Sequence, residues 1–297
     1  MENTLLDAVH RFASVHTDGT GIARTPISGL TIVRELAPTA LQFAINSPMV
    51  ALVLQGSKRV MLGTDTYDFG AGDSLLITAD VPTVSQITRA SAAQPYYSLI
   101  VHLDPAVIAT LVDEMGSAPF RAGRPVRVDP TEAEVADAAL RLMRLIDRPA
   151  SLAVLQDQLM RELHFWLLSG RHGGAIRALG VADSHVQRIG RAVTLIRERY
   201  AEPLPVEQLA NAAGMGTSSF HAHFRAVTSL TPLQFQKQLR LIEARRMMVA
   251  SGMPISNAAY AVGYESIPQF TREYGRLFGQ SPAREVKSAR AQERASI

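Results

Sequence analysis

Setting the chain against itself exposes a repeat of roughly fifty residues near its end, and no other feature restricts the possible folds as strongly. One copy runs from Val206 to Pro232 (VEQLANAAGMGTSSFHAHFRAVTSLTP) and the other from Ile255 to Pro282 (ISNAAYAVGYESIPQFTREYGRLFGQSP). Val206 aligns with Ile255, Ala210 with Ala259, Gly214 with Gly263, Phe220 with Phe270, Phe224 with Tyr274, and Thr231-Pro232 with Ser281-Pro282; the second copy carries one extra residue after its glycine. Each copy has the parts of a helix-turn-helix: a short apolar helix, a glycine able to end it in the left-handed conformation, a brief turn, and an amphipathic second helix. Alanines 210 and 259 let the two helices approach closely. Phe220 with Phe224, and Phe270 with Tyr274, sit four apart and are expected to anchor each second helix to the core.

The opposite face of each second helix is then left for a partner. In the first copy it holds Ser218, His221, Ala222 and Arg225, and in the second Pro268, Gln269, Arg272 and Arg276. Gln269 and Arg272 have the donors and acceptors that read adenine and guanine edges in the major groove, whereas Arg225 and Arg276 suit phosphates. A long helix predicted over Pro232 to Ala250 would hold both second helices on one side, about one DNA turn apart. A single Ala/Gly-rich helix pair is common in bundles, so the surroundings matter. Residues 185–297 hold 15 Lys+Arg against 8 Asp+Glu, a net of +7, while residues 1–184 hold 15 against 19, a net of −4. Two copies in register on a basic segment point to double-stranded DNA as a partner.

A chain of 297 residues, 47% hydrophobic and 19% charged, has room for a second core. After a helix expected over Asn3 to Val15, short β-rich runs alternate with turn residues. The expected strands are Leu30–Glu35, Met49–Gln55, Lys58–Leu62, Thr66–Phe69, Ser74–Thr78, Val84–Thr88 and Tyr96–His102, separated by Gly56, Gly63, Gly70, Gly72 and Pro82. Such spacing predicts a small antiparallel barrel or sandwich. Three helical stretches follow, with Pro105, Pro130 and Pro149 as openers. The third, Ser151 to Ser169, carries Leu152, Leu155, Leu159, Leu163, Trp166 and Leu167 as a stripe able to pack on the barrel or on a second copy of itself. The glycine-rich stretch from Ser169 to Ser184 reads as a linker (residues 171–184), dividing residues 1–170 from residues 185–297.

With these parts in place, residues 185–290 resemble the AraC/XylS family of bacterial regulators, most specifically through Ala259, Gly263, Tyr264, Ser266, Phe270, Arg272, Phe278 and Ser281-Pro282. The resemblance implies that the base-contacting positions fall on Ser218, His221 and Ala222, then on Pro268, Gln269 and Arg272. Ala222 departs from the long polar residue that often stands there, so the first copy is expected to discriminate less between sequences. The N-terminal region is similar to the companion domain of these regulators through MVALVLQGSKRVMLG, FGAGDSLLITADVP, the HLDP of residues 102–105 and RELHFWLLSG. That similarity implies an α+β two-domain chain: a cupin-like antiparallel barrel with helices, for effector sensing and dimerisation, followed by an all-α double helix-turn-helix. The expected function is an activator of transcription responding to a small molecule, with DNA, an effector, a second copy of the chain and RNA polymerase as partners. A cupin-like enzyme fused to a DNA-binding module, and an effector-independent DNA binder, are the alternatives.

Other chemistries find little support. The chain has no cysteine, which removes disulfides, thiolate nucleophiles and cysteine-ligated zinc. The barrel region offers His102 as its one histidine, short of the cluster a cupin metal needs, so neither a metal nor a cofactor is expected. His221 and His223 lie two apart on a helix and point apart. Lys58 and Arg59 follow a glycine turn, where an acidic effector at the barrel mouth is one reading and exposed turn charges the preferred one. His164 and Trp166 are expected in core or dimer contacts, and Asp113 and Glu114 on a solvated helix face. Phosphate-loop and nucleophile-elbow motifs are missing, and no enzyme is expected. The longest apolar runs, such as Met49–Leu54, fall far short of the roughly 20 residues of a membrane helix, and the first residues lack a signal-peptide pattern, so the expected location is the cytoplasm.

Overall fold

In the computed structural model, which describes residues 4–63, 65–116 and 125–295 with side chains to Ser288, the runs of the first half pair into two antiparallel sheets. Helix α1 (Leu5–His16) is followed by β1 (Ile22–Arg24), β2 (Leu30–Glu35), β3 (Gln42–Asn46), β4 (Met49–Gln55), β5 (Ser57–Leu62), β6 (Asp65–Gly70), β7 (Asp73–Ile77), β8 (Val81–Arg89) and β9 (Tyr96–His102). Then come α2 (Pro105–Met115), β10 (Val126–Pro130), α3 (Ala133–Ile146), α4 (Pro149–Ser169) and α5 (Gly173–Gly180). The larger sheet has the order β1-β2-β9-β4-β7-β10 and the smaller β3-β8-β5-β6. Their facing sides enclose the barrel interior, built from residues such as Val53, Val60, Leu62, Phe69, Ile77 and Ile87.

Strand β4 shows why its sequence reads as an unbroken apolar run. Met49, Ala51 and Val53 point into the barrel, while Val50 and Leu52 point the other way, against the helices. A strand covered on both faces has no use for alternation. The helical layer over that outer face contributes Val9, Ile108, Leu142, Leu163, Leu167 and Ile176. Its helices begin on local signals: Thr4 and Asp7 form a reciprocal cap on α1, and the Asp104 carboxylate accepts from the N–H groups of Ala106 and Val107 ahead of α2. Along α4, Leu152, Leu159 and Trp166 pack against this core and Leu163 and Leu167 are buried in it, but Val154 and Leu155 stay 66% and 44% exposed. Buried His164 ties α4 to α2: its Nδ1 donates to the Met160 carbonyl at 2.7 Å and its Nε2 accepts from the Asp104 N–H at 3.1 Å. Burial holds its pKa below the ordinary histidine value.

Several expectations need correction. The segment read as a linker contains α5, whose Ala175, Ile176 and Leu179 are buried in the first unit's core. Four apolar residues in so short a stretch gave too little periodicity to show it. Pro130 ends β10 and opens no helix; α3 starts at Ala133. Pro82, read as a separator, lies inside β8, opposite Ile45 of β3 and beyond the last β5 pairing at Met61–Val84, where a missing N–H costs no ladder bond. Strands β1, β3 and β10 were not anticipated: the first is only three residues long, and β3 is an edge strand with Gln42 and Ala44 exposed. Arg59 is exposed and pairs with Asp68, as expected of a turn charge, but Lys58 points inward. The residue expected at the start of α1, Asn3, lies outside the described residues.

Ser74, His172 and Asp129 meet at the edge of the larger sheet, with Ser74 Oγ 2.9 Å from His172 Nε2 and His172 Nδ1 3.3 Å from an Asp129 oxygen. The cavity beside them is about 10 Å³, room for one water and no substrate, so the trio fastens β7 and β10 to the start of α5.

The second compact unit consists mainly of residues 188–297. It contains α6 (His185–Glu198, from Arg188 onward), α7 (Val206–Ala212), α8 (Thr217–Thr228), α9 (Pro232–Ala250), α10 (Ile255–Ala261), α11 (Ile267–Phe278) and α12 (Pro282–Ala295). Among the described residues no helix is long and apolar enough to cross a membrane.

Candidate nucleic-acid interface

The two copies of the repeat fold alike down to single hydrogen bonds. Helix α7 ends at Gly214, whose φ is +61°, with the Gly214 N–H donating to the Asn211 carbonyl at 2.9 Å and the Met215 N–H to the Ala210 carbonyl at 2.9 Å. Helix α10 ends at Gly263, φ +86°, where the Gly263 N–H donates to the Tyr260 carbonyl and the Tyr264 N–H to the Ala259 carbonyl, each at 3.0 Å. Both closures satisfy helix-end carbonyls and turn the chain toward the next helix. The extra residue of the second copy lengthens only the turn. Phe220, Phe224, Phe270 and Tyr274 are completely buried, as their spacing predicted. Ring contacts of 5.4 Å within each pair lock α8 and α11 by the same face.

What remains on the outer faces is the expected set. Ser218, His221, Ala222 and Arg225 are exposed on α8, and Pro268, Arg272 and Arg276 are exposed on α11, while Gln269 is half-buried. Gln269 is not free: its Nε2 donates to Glu273 Oε1 at 3.2 Å, and the same carboxylate receives Lys237 Nζ at 2.7 Å and the Tyr264 hydroxyl at 2.7 Å. Burial alone would raise the Glu273 pKa, but the hydrogen bonds from Lys237, Tyr264 and Gln269 outweigh it and hold it below the usual glutamate value. Burial, and then the Glu273 carboxylate, push the Tyr264 phenol up. Lys237, Tyr264 and Gln269 border a cleft of about 500 Å³ that Leu233 and Tyr260 also line.

The residues that tie α9 to the segment after α6 and to the turn of the second copy, and α6 to the turn of the first, were not singled out in the sequence. Arg240 of α9 donates to three backbone carbonyls, those of Tyr200 (2.6 Å), Glu202 (3.0 Å) and Gly263 (3.0 Å). Gln236, one turn earlier, donates to the carbonyls of Tyr200 and Glu202 at 2.9 and 2.8 Å. Arg188 of α6 reaches the Ala213 and Gly214 carbonyls at the end of α7. The available signal was Gln236 itself, a buried polar residue on the stripe formed by Phe235 and Leu239. A polar group in such a place must find partners. A further buried group, Glu285 of α12, accepts from the Tyr274 hydroxyl and from Arg245 Nε, each at 2.6 Å.

Two exposed second helices on one clamped scaffold match what known proteins show. The family model described as the AraC-type transcriptional regulator N-terminus matches residues 26–175, and a helix-turn-helix domain model matches residues 209–288. The thermoregulatory protein LcrF of Yersinia pestis is 23% identical over 242 residues, which is 78% of this chain and 86% of that one. The transcriptional activator RclR of Escherichia coli K12 is 35% identical over 95 residues, 32% of this chain and 34% of that one. Among solved structures, wild-type ToxT of Vibrio cholerae bound to an unsaturated fatty acid superposes with a TM-score of 0.56 at 9% identity, covering 87% of this chain and 93% of ToxT, so the two-domain fold is shared. With one family model spanning half of its length and another spanning both helix-turn-helix copies, this chain belongs to the AraC-type transcriptional regulators.

Proposed function

We propose that this regulator is a sequence-specific activator in which residues 1–170 sense a small-molecule effector and join two copies of the chain, while residues 185–297 read DNA. The observation that carries the reading is the pair of equivalent turns that leaves Ser218, His221, Ala222 and Arg225, and Pro268, Gln269, Arg272 and Arg276, on the outer faces of α8 and α11. Those faces have the size and chemistry to enter successive major grooves. An effector is supported by ToxT, which was solved with a bound fatty acid, and the activating sense by the name of RclR. Exposed Val154 and Leu155 on α4 offer a surface to a second copy, which would double the DNA sites held at once. RNA polymerase, the cytoplasm and the absence of any membrane or catalytic step complete the proposal.

Footprinting of the full chain upstream of its neighbouring genes, with and without metabolite extracts, tests it. A protected site of two adjacent half-sites whose occupancy changes with an extract is the expected result. Equal affinity for that DNA and for random DNA would overturn the reading.

A further inference from the structure

Helix α11 carries a single acid, Glu273, one turn beyond Gln269 and next to Arg272. A negative charge beside groups meant for DNA repels phosphates, so its presence there asks for a cause. Both of its oxygens are engaged. Oε1 accepts from Lys237 Nζ and from Gln269 Nε2, and Oε2 accepts from the Tyr264 hydroxyl. Lys237 comes from α9 and the buried Tyr264 from the turn, so the carboxylate is fixed from two sides and its charge is offset. An otherwise mobile side chain becomes a stationary acceptor.

A carboxylate held below the ordinary glutamate value is ionised near neutral pH and can only accept hydrogen bonds. The amide of Gln269 must therefore turn its nitrogen, and not its oxygen, toward Glu273. Among the described residues that side chain makes no other hydrogen bond. One N–H is spent; one N–H and the carbonyl oxygen are left for a partner. On its major-groove edge adenine presents N7 as acceptor and N6 as donor, whereas guanine presents two acceptors, N7 and O6. A glutamine with both amide hydrogens at liberty can address either purine. With one hydrogen spent it matches adenine, and against guanine its carbonyl oxygen meets O6, where two acceptors repel.

We propose that Glu273 is a specificity-determining residue that acts through Gln269: it holds the amide in one orientation, so that α11 takes adenine and rejects guanine at one base pair. The inference rests on the DNA-reading role of α8 and α11 and adds to it a positioning residue and the base it selects.

Selection of bound duplexes from a random pool by the full chain, followed by competition binding at each base pair, tests it. The wild type should favour adenine over guanine by about tenfold or more at one position. Gln269→Ala should abolish that preference and leave the other positions alone. Glu273→Ala should bring the two purines within about threefold there, through a gain for guanine. Its affinity for random DNA should hold or rise, because Lys237 is released toward phosphates. In the Gln269→Ala background, Glu273→Ala should shift no base preference. Since Glu273→Ala leaves the buried Tyr264 hydroxyl without an acceptor, Tyr264→Phe combined with Glu273→Ala is the second variant, and the same loss of discrimination is expected of it. A Glu273 that merely holds the helix would lower the melting temperature and every affinity alike with adenine still preferred, and that result overturns the proposal. So does a changed preference in the Gln269→Ala background, which would make Glu273 itself a reader of cytosine. Specific binding without an adenine preference that depends on Gln269 removes this inference and leaves the regulator standing. A wild-type protein that selects no sequence from the pool removes the regulator reading and this inference with it.

Discussion

The two helix-turn-helix copies close their turns with the same hydrogen bonds but rest on different foundations. In the first, Phe224 of α8 meets Phe235 of α9 edge to face at 5.8 Å. At the aligned places of the second, Tyr274 of α11 meets Glu285 of α12 through a 2.6 Å hydrogen bond, with Arg245 on the other carboxylate oxygen. A further carboxylate of α11, Glu273, gathers Lys237 from α9, Tyr264 from the turn and Gln269 from its own helix. An apolar base tolerates repacking, whereas a buried polar network is satisfied in one geometry and penalised in others. The second helix of the second copy is therefore the more tightly oriented, and it also carries the longer exposed side chains, those proposed to read bases. Orientation and the proposed readout fall to the same copy.

Breaking the turns gives the largest expected contrast. Gly214 and Gly263 both hold positive φ, which costs any other residue roughly 1 to 2 kcal/mol. At Gly214 a Cβ would meet only Arg188 Nη2 at 3.5 Å, so Gly214→Ala should cost about 1 to 2 kcal/mol. At Gly263 a Cβ would overlap the Ala201 carbonyl, a backbone atom held in place by Arg240 and Gln236 through its neighbours, so Gly263→Ala should cost about 4 kcal/mol. Urea unfolding followed by circular dichroism measures both. Equal losses would mean that the two turns are packed alike.

The foundations themselves differ next. Glu285→Ala strips a partner from the half-buried Arg245 guanidinium and from the buried Tyr274 phenol and should cost about 3 kcal/mol. Tyr274→Phe should cost about 1 to 2 kcal/mol, since it leaves one carboxylate oxygen short of a donor. Combining Tyr274→Phe with Glu285→Leu rebuilds the apolar pair of the first copy and should recover most of the loss, far from the sum of the single changes. Additive losses in thermal unfolding would show that the phenol and carboxylate act separately.

The turns and aromatic anchors of both copies were legible because their causes are local: a glycine that must adopt positive φ, an alanine where helices touch, and rings four residues apart on one face. Seven strands were legible for the same reason, as runs between turn residues. Arg240 was not, because its meaning lies in carbonyls of Tyr200, Glu202 and Gly263, which only the fold brings to one side chain. Lys58 was misread on similar grounds: whether it faces solvent or the barrel is set by its pairing with Phe69 and Ile87, and a neighbouring arginine that does face solvent hid the difference. Gln269 was legible as an outward polar residue but not as one already bonded to Glu273.

The smallest expected effects concern readout, and they decide whether orientation and discrimination coincide. Arg272 is exposed midway along α11, and a guanidinium there can address the O6 and N7 of guanine; Arg272→Ala should cost about 1 to 3 kcal/mol and relax preference at one base pair. Arg276, one turn later, is placed for a phosphate, so Arg276→Ala should weaken every sequence alike and flatten the salt dependence. His221→Ala on α8 should cost less than about 1 kcal/mol, because Ala222 beside it leaves the first copy little to read with. Competition binding of each variant against all single-base changes of the footprinted site measures these quantities. If His221→Ala relaxed specificity more than Arg272→Ala did, the loosely founded copy would be the reader, and the buried network under α11 would need a reason other than aiming its side chains.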